Sequence, residues 1–194
     1  MWWIAVGVFA FLLFYIYDLL QLYLFKTACS SLFFIGIGCL ILATSNILWL
    51  SLSTSTSSGG ATAFWITGAV VFCIILFYTL FFALPYDTTY KSAGNKSPLI
   101  TDGVYALCRH PGILWFCGIY FCLWQALGGR LLFWAMLVFS ALNFLYAVMQ
   151  DRWVFPKQFE GYLNYQAQTP FLIPTLRSIR CCVKTFRLFR HHKG

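Results

Sequence analysis

Five apolar runs dominate the chain: Trp2 to Phe25, Ala28 to Leu52, Thr62 to Leu84, Gly112 to Leu127 and Leu131 to Met149. Roughly 20 consecutive apolar residues cross the hydrocarbon core of a bilayer. The runs therefore predict an all-α integral membrane protein with about five transmembrane helices, of which the fourth is the shortest. Only 9% of the 194 residues are charged, against about 25% in a soluble domain, which excludes an ordinary water-soluble globule. The chain reads as a single membrane domain, 1–194. Three amino-terminal spans fill residues 1–84, a core with spans four and five fills 85–175, and a basic tail fills 176–194. Ser53 to Gly60 is a flexible connector. The turn Gly128-Gly129-Arg130 is too short to let its flanking helices be anything but an antiparallel hairpin.

Orientation follows from the basic residues. With five spans, twelve of the 13 Lys and Arg fall on one face and Arg130 stands alone on the other. The amino terminus is expected outside, the carboxyl terminus in the cytoplasm. No Lys or Arg precedes Trp2, which argues against a cleaved signal peptide. The net charge of +8 sits mostly beyond the last apolar run, so it reads as charge on a membrane surface rather than a nucleic-acid footprint. The sequon Asn95-Lys96-Ser97 precedes Pro98 on the cytoplasmic side and is discounted. The eight cysteines form no CxxC pair and have no histidine spaced to complete a metal site, so neither a metal nor a disulfide framework is expected. Cys181 and Cys182, beside a basic stretch, fit reversible palmitoylation or two unmodified thiols.

A few polar residues are costly enough to need a reason. Gly36 and Gly38 form a G-x-G that reads as a helix-packing notch, since a nucleotide loop would need a preceding strand. Asp18, the acid inside a span, is a functional candidate or an interfacial residue bonded to Tyr15, Tyr17 or Gln21. The hairpin brings Arg109 and His110 back near Gln150, Asp151 and Arg152. Such a rim suits a zwitterionic ligand, with Arg109 or His110 taking a carboxylate and Asp151 an ammonium or ribose diol. Pro111 suits a helix start whose N–H groups add donors. The plainer alternative makes Arg109 and Arg152 membrane anchors and His110-Pro111 a loop ending. The aromatic stretch Phe159 to Pro174, with Tyr162 and Tyr165, is too polar to span and is expected to fold onto the rim as a lid. Leu176, Ile179, Val183 and Phe186 recur at helical spacing beside Arg177, Arg180, Lys184 and Arg187, as in an interfacial helix on anionic lipid; a disordered basic tail is the alternative.

Gly103-Val104-Tyr105, Arg109-His110-Pro111-Gly112, the hairpin, Gln150-Asp151, Tyr162-x-x-Tyr165 and Pro170-x-x-x-Pro174 follow in an order and spacing that resemble a membrane methyltransferase family. These are the isoprenylcysteine carboxyl methyltransferases with the related phospholipid N-methyltransferases. The resemblance covers about residues 97–175 and departs in three places. Ile113 stands where the family has Tyr, Gln150-Asp151 replaces Glu-Glu, and the Phe-Gly before the tyrosines is displaced in Gln158-Phe159-Glu160-Gly161. It implies S-adenosylmethionine as methyl donor, held by Leu99, Ile100, Tyr105, His110, Pro111, Gly112 and Gln150. Arg109 and Asp151 would orient the donor, and Tyr162 and Tyr165 would be lid contacts. The acceptor would be a lipophilic small molecule or lipid-modified substrate arriving from the bilayer. Two other classes stay open: a non-catalytic membrane relative acting as scaffold or partner, and a sterol-type reductase using a nicotinamide dinucleotide, whose members also carry Arg-His-Pro but are usually longer.

Overall fold

A computed structural model describes residues 1–24, 30–55, 59–83 and 99–191 of the chain. The expected span ends at Phe25, Ala28 and Leu84 lie outside the described residues, as do Lys26, Cys29, Lys91 and the Asn95 sequon. The described residues are helical apart from short connections. The long helices are α1 (Trp2–Leu24), α2 (Ser30–Thr54), α3 (Gly60–Phe81), α5 (Pro111–Leu127) and α6 (Arg130–Met149). Between them, α4 (Val104–Leu107) is a single turn. After α6 come a π-helical turn (Gln150–Val154), α7 (Phe155–Gln158), α8 (Tyr162–Gln168) and α9 (Leu176–His191).

Four helices among the described residues are long and apolar enough to cross a membrane: Trp2–Tyr23, Ser31–Thr54, Gly60–Phe81 and the continuous stretch Arg130–Gln158. The fourth apolar run also forms a helix, but one of 17 residues, about 25 Å long at 1.5 Å per residue against a hydrocarbon core of about 30 Å. Of the five apolar runs, four thus form helices of spanning length, and the fourth, read from the sequence as the shortest, forms a shorter helix. The reason is local. Proline at the first helical position fixes where α5 begins, and Gly128 and Gly129, with φ of 69° and 85°, end it. Such left-handed backbone suits glycine, and it folds α5 against α6 as the antiparallel hairpin that the short turn requires.

The core lies where α1, α2, α5 and α6 meet, around Phe11, Phe14, Ala43, Ile47, Tyr120, Leu132, Ala135 and Phe139. Tyr120 and Thr44 share a hydrogen bond of 2.5 Å there, which gives a buried hydroxyl its partner. α3 packs along the outside of α5, where Phe72 lies against Trp115 and over Gly118. The outer faces of the spans leave Trp49, Phe64 and Ile74 uncovered; so broad an apolar surface belongs against lipid rather than water. Half of the expected glycine notch is present. A Cβ on Gly36 would come 2.6 Å from a ring carbon of Phe14 and 3.2 Å from the Ala10 carbonyl, whereas one on Gly38 would meet nothing within 4 Å.

Helix directions bring the chemistry to one end. Gln150 bonds Asp18 near the end of α1, Tyr105 bonds Thr79 near the end of α3, and Asp151 bonds Arg109 just before α5. So α1, α3 and α6 finish at the same rim from which α5 departs.

Candidate functional site

The rim is organised around Asp151. Pro156 has no N–H to return to the carbonyl four residues before it, and just ahead of it the helix widens into the π turn, closed by the Phe155 amide donating to the Gln150 carbonyl. π turns of this kind often occur at functional sites. Here the turn buries Asp151, which is 4% exposed, and leaves Arg152 in solvent. The expected gathering of Gln150, Asp151 and Arg152 is therefore corrected: only Asp151 joins Arg109 and His110.

Five donors converge on the Asp151 carboxylate. Arg109 Nη2 donates to Oδ2 at 3.2 Å, and Gln166 Nε2 donates to the same oxygen at 2.9 Å. The Tyr162 hydroxyl donates to Oδ1 at 2.5 Å. His110 Nε2 lies 3.4 Å from Oδ1. Arg109 Nε is 3.0 Å from Oδ1 yet off the line of a hydrogen bond, so it contributes charge rather than a directed bond. A carboxylate offers about four lone-pair sites, and the chain's own donors occupy them. Burial, and then the neighbouring Asp151 carboxylate, push the Tyr162 phenol well above its usual range, which keeps it a donor.

The carboxyl-terminal segment supplies the other half of the rim. Arg109 Nη1 donates to the Gln166 carbonyl at 2.6 Å, and its guanidinium lies 5.7 Å from the centre of the Phe171 ring. The amides of Arg109 and His110 donate to the carbonyls of Pro170 and Phe171 at 2.9 and 3.2 Å. The His110 ring stacks on Phe155 at 5.7 Å and is tilted against Phe171 at 5.0 Å. Gln166, Pro170 and Phe171 thus return the chain to Arg109 and His110.

The remaining expected positions surround this centre. Tyr165 is buried and donates to the Tyr105 carbonyl at 2.6 Å; burial holds its phenol protonated. Tyr105 in turn donates to the Thr79 carbonyl at 3.0 Å. Leu99 packs against the cluster formed by Phe159, Tyr162 and Tyr165, and Ile100 is half-buried beside it in sequence. A Cβ on Gly112 would lie 3.6 Å from Leu76 of α3, and Ile113 is buried in the helix bundle. Gln150 points away from Asp151, its Nε2 donating to Asp18 Oδ2 at 2.8 Å. Asp18 also accepts from Tyr146. These two partners lie on α6 and its extension, far from Asp18 in sequence.

Gln166, Phe155 and Phe171 were not among the expected site residues. The signal for Gln166 was available, since it follows Tyr162 by four positions and so shares its helix face. No cluster of metal-binding side chains occurs among the described residues. Two surface concavities, of about 390 Å³ beside Trp124 and Arg130 and about 510 Å³ along Arg177, Arg180 and Lys184, lie away from Asp151.

Comparison of the chain with protein families, with curated proteins and with solved structures returns no match. The chemistry of the rim rests on its own geometry and on the motif pattern above.

Proposed function

We propose that the chain is an S-adenosylmethionine-dependent methyltransferase acting on a lipophilic acceptor, with its rim at the cytoplasmic membrane face and its amino terminus outside. One observation carries the reading. Motif positions dispersed along the sequence, Arg109-His110-Pro111, Asp151, Tyr162 and Tyr165, meet in one buried polar cluster where apolar helices end.

The residues present suit such a donor. Arg109 directs one N–H from each terminal nitrogen at Gln166 and Asp151, and a guanidinium has five, which leaves donors for the carboxylate of an amino acid moiety. The aromatic faces of Phe155 and Phe171 around His110 suit a sulfonium cation. Leu99 and Ile100 offer an apolar wall. From the resemblance, Tyr105, Pro111, Gly112 and Gln150 complete the contacts. When bound, the donor supplies an electrophilic methyl group. The chain's part is alignment, an effect that lowers a barrier by about 7 to 11 kcal/mol, and exclusion of water by the segment 159–174 acting as a lid. An anionic carboxylate or thiolate acceptor needs no base. An amine acceptor must shed a proton, and Nδ1 of His110 can take it while Nε2 faces Asp151. Asp151, surrounded by the chain's own donors, acts as a positioning residue that fixes Arg109, His110 and Tyr162.

The same saturation of Asp151 favours a second reading, in which the cluster is only a clasp and the protein a non-catalytic membrane partner. Binding of S-adenosylmethionine to the detergent-purified protein separates them, with His110→Ala and Asp151→Ala as variants and a reduced nicotinamide dinucleotide as competitor. Saturable binding, lost in both variants while their helix content persists and untouched by the competitor, is the expected result. A folded wild type that does not bind overturns the proposal and leaves the clasp; displacement by the dinucleotide favours the reductase.

A further inference from the structure

The carboxyl-terminal helix α9 presents three distinct faces. Thr175 and Ser178 begin it with a reciprocal cap, each amide donating to the other's hydroxyl at 2.9 and 3.2 Å, so the helix has a built start rather than a frayed one. Ser178, Cys182 and Thr185, three to four positions apart, form the side turned to the protein; Ser178 is buried and the other two half-buried. Leu176, Ile179 and Val183 lie on a second side and are 77%, 42% and 47% exposed. Arg177, Arg180 and Lys184 form a third, exposed stripe next to the apolar one. At 100° per residue the apolar and basic stripes adjoin on the side away from the protein.

The location of α9 fits that pattern. α9 packs on α4, and the Gly103 amide donates to Thr185 Oγ1 at 3.0 Å. Gly103 holds φ 62° and ψ −128°, a backbone region open essentially to glycine alone, so this contact holds a turn that has no conformational slack. From α4, Tyr105 reaches the Thr79 carbonyl near the end of a membrane helix. α9 therefore lies one layer of packing from the level at which α3 ends, where apolar side chains meet acyl chains and basic ones meet headgroups. No acidic residue occurs after Glu160, and six Lys and Arg follow Thr175.

We infer that α9 docks flat on an anionic lipid surface through its apolar and basic stripes, and that this docking holds Gly103–Leu107 against the end of α3. The surface charge selects the occupant. A second copy of this chain would bring the same basic stripe and repel it, whereas an anionic leaflet attracts each basic residue by roughly fivefold in equilibrium constant, or on the order of a hundredfold for three. The consequence for ligand binding, that anionic lipid steadies the turn leading to Arg109 and His110, rests on the function proposed above. The docking and the steadying of the turn do not.

The test is hydrogen exchange by mass spectrometry on the full chain in nanodiscs of phosphatidylcholine alone or mixed with phosphatidylserine. In the mixed discs, amides of residues 176–185 and of 103–107 are expected to exchange at least tenfold more slowly, an effect that shrinks with added salt. Arg177→Gln, Arg180→Gln and Lys184→Gln together should remove the difference without altering exchange in the neutral discs. Thr185→Val should keep it in α9 and lose it in 103–107. Equal exchange in both lipids, persistence in the triple variant, or protection that follows protein concentration rather than lipid charge would overturn the inference. No arm requires S-adenosylmethionine, so a failure here is distinct from a failure to bind it.

Discussion

Gln150 donates its side-chain amide to the Asp18 carboxylate at 2.8 Å, joining residues 132 positions apart. A glutamate at position 150 would set two carboxylates against each other in a buried place. Gln150→Glu is therefore expected to destabilise the protein more than Gln150→Leu, which leaves Asp18 short of one donor at a cost of about 1 to 3 kcal/mol. The sign with pH follows. Two facing carboxylates repel once both are ionised, so Gln150→Glu is expected to lose stability as pH rises and to regain it on acidification. Thermal unfolding in detergent between pH 5 and 8 reads the difference; a midpoint for Gln150→Glu that does not move with pH would sink the account.

Asp151 makes the opposite prediction. Its removal strands the Arg109 guanidinium, which is 9% exposed, and breaking a buried ion pair from one side costs about 3 to 5 kcal/mol. Asp151→Ala should fall in that range and Tyr162→Phe nearer 1 kcal/mol. Arg109→Met with Asp151→Leu should be milder than either single change, because no charge is left uncompensated. Denaturant unfolding of Asp151→Ala, Tyr162→Phe, the double variant and its two single changes decides it.

Cys108 and Cys181 differ in environment. Cys108 is fully buried, and burial pushes its thiol up to about 11, whereas Cys181 is exposed. Since the thiolate is the reactive form, a maleimide at pH 7.5 should modify Cys181 and spare Cys108 until the protein unfolds. Peptide mass mapping identifies which residue carries the label, and early labelling of Cys108 would contradict the packing of residues 99–108.

The two glycines of the G-x-G should behave differently despite their spacing. Gly36→Val meets Phe14 and the Ala10 carbonyl and is expected to cost about 1 to 3 kcal/mol by overpacking. Gly38→Ala, in open space, should be neutral or stabilising by up to about 1 kcal/mol. Equal losses at both would mean that α1 and α2 pack otherwise.

The helices and their hairpin were legible because apolar length and two turn glycines are one-dimensional signals. The meeting of Arg109 with Asp151 was legible too, since two helices folded back on each other return their ends to one level. What each side chain meets on arrival was not. Gln150 and Asp151 are neighbours in sequence, yet one faces Asp18 and the other Arg109, and the π turn that aims them interrupts the periodicity from which facing is read. Gln166 directly follows the two tyrosines, and only the helix face it shares with Tyr162 marks it in the sequence. The tail divided in the same way: its stripes were visible as spacing, but its attachment through Thr185 depends on a glycine turn 82 positions earlier.

The fold-back of residues 162–171 also sets an order in time. Arg109 leaves the ribosome 42 residues before Asp151 and 57 before Gln166. Its guanidinium must wait at the membrane edge through the insertion of the whole hairpin. Only when Phe171 has been made can the amides of Arg109 and His110 find their carbonyls. The rim is thus completed only after the membrane helices have been made, and a chain interrupted before Tyr162 would leave the Asp151 carboxylate without Tyr162 and Gln166 as donors.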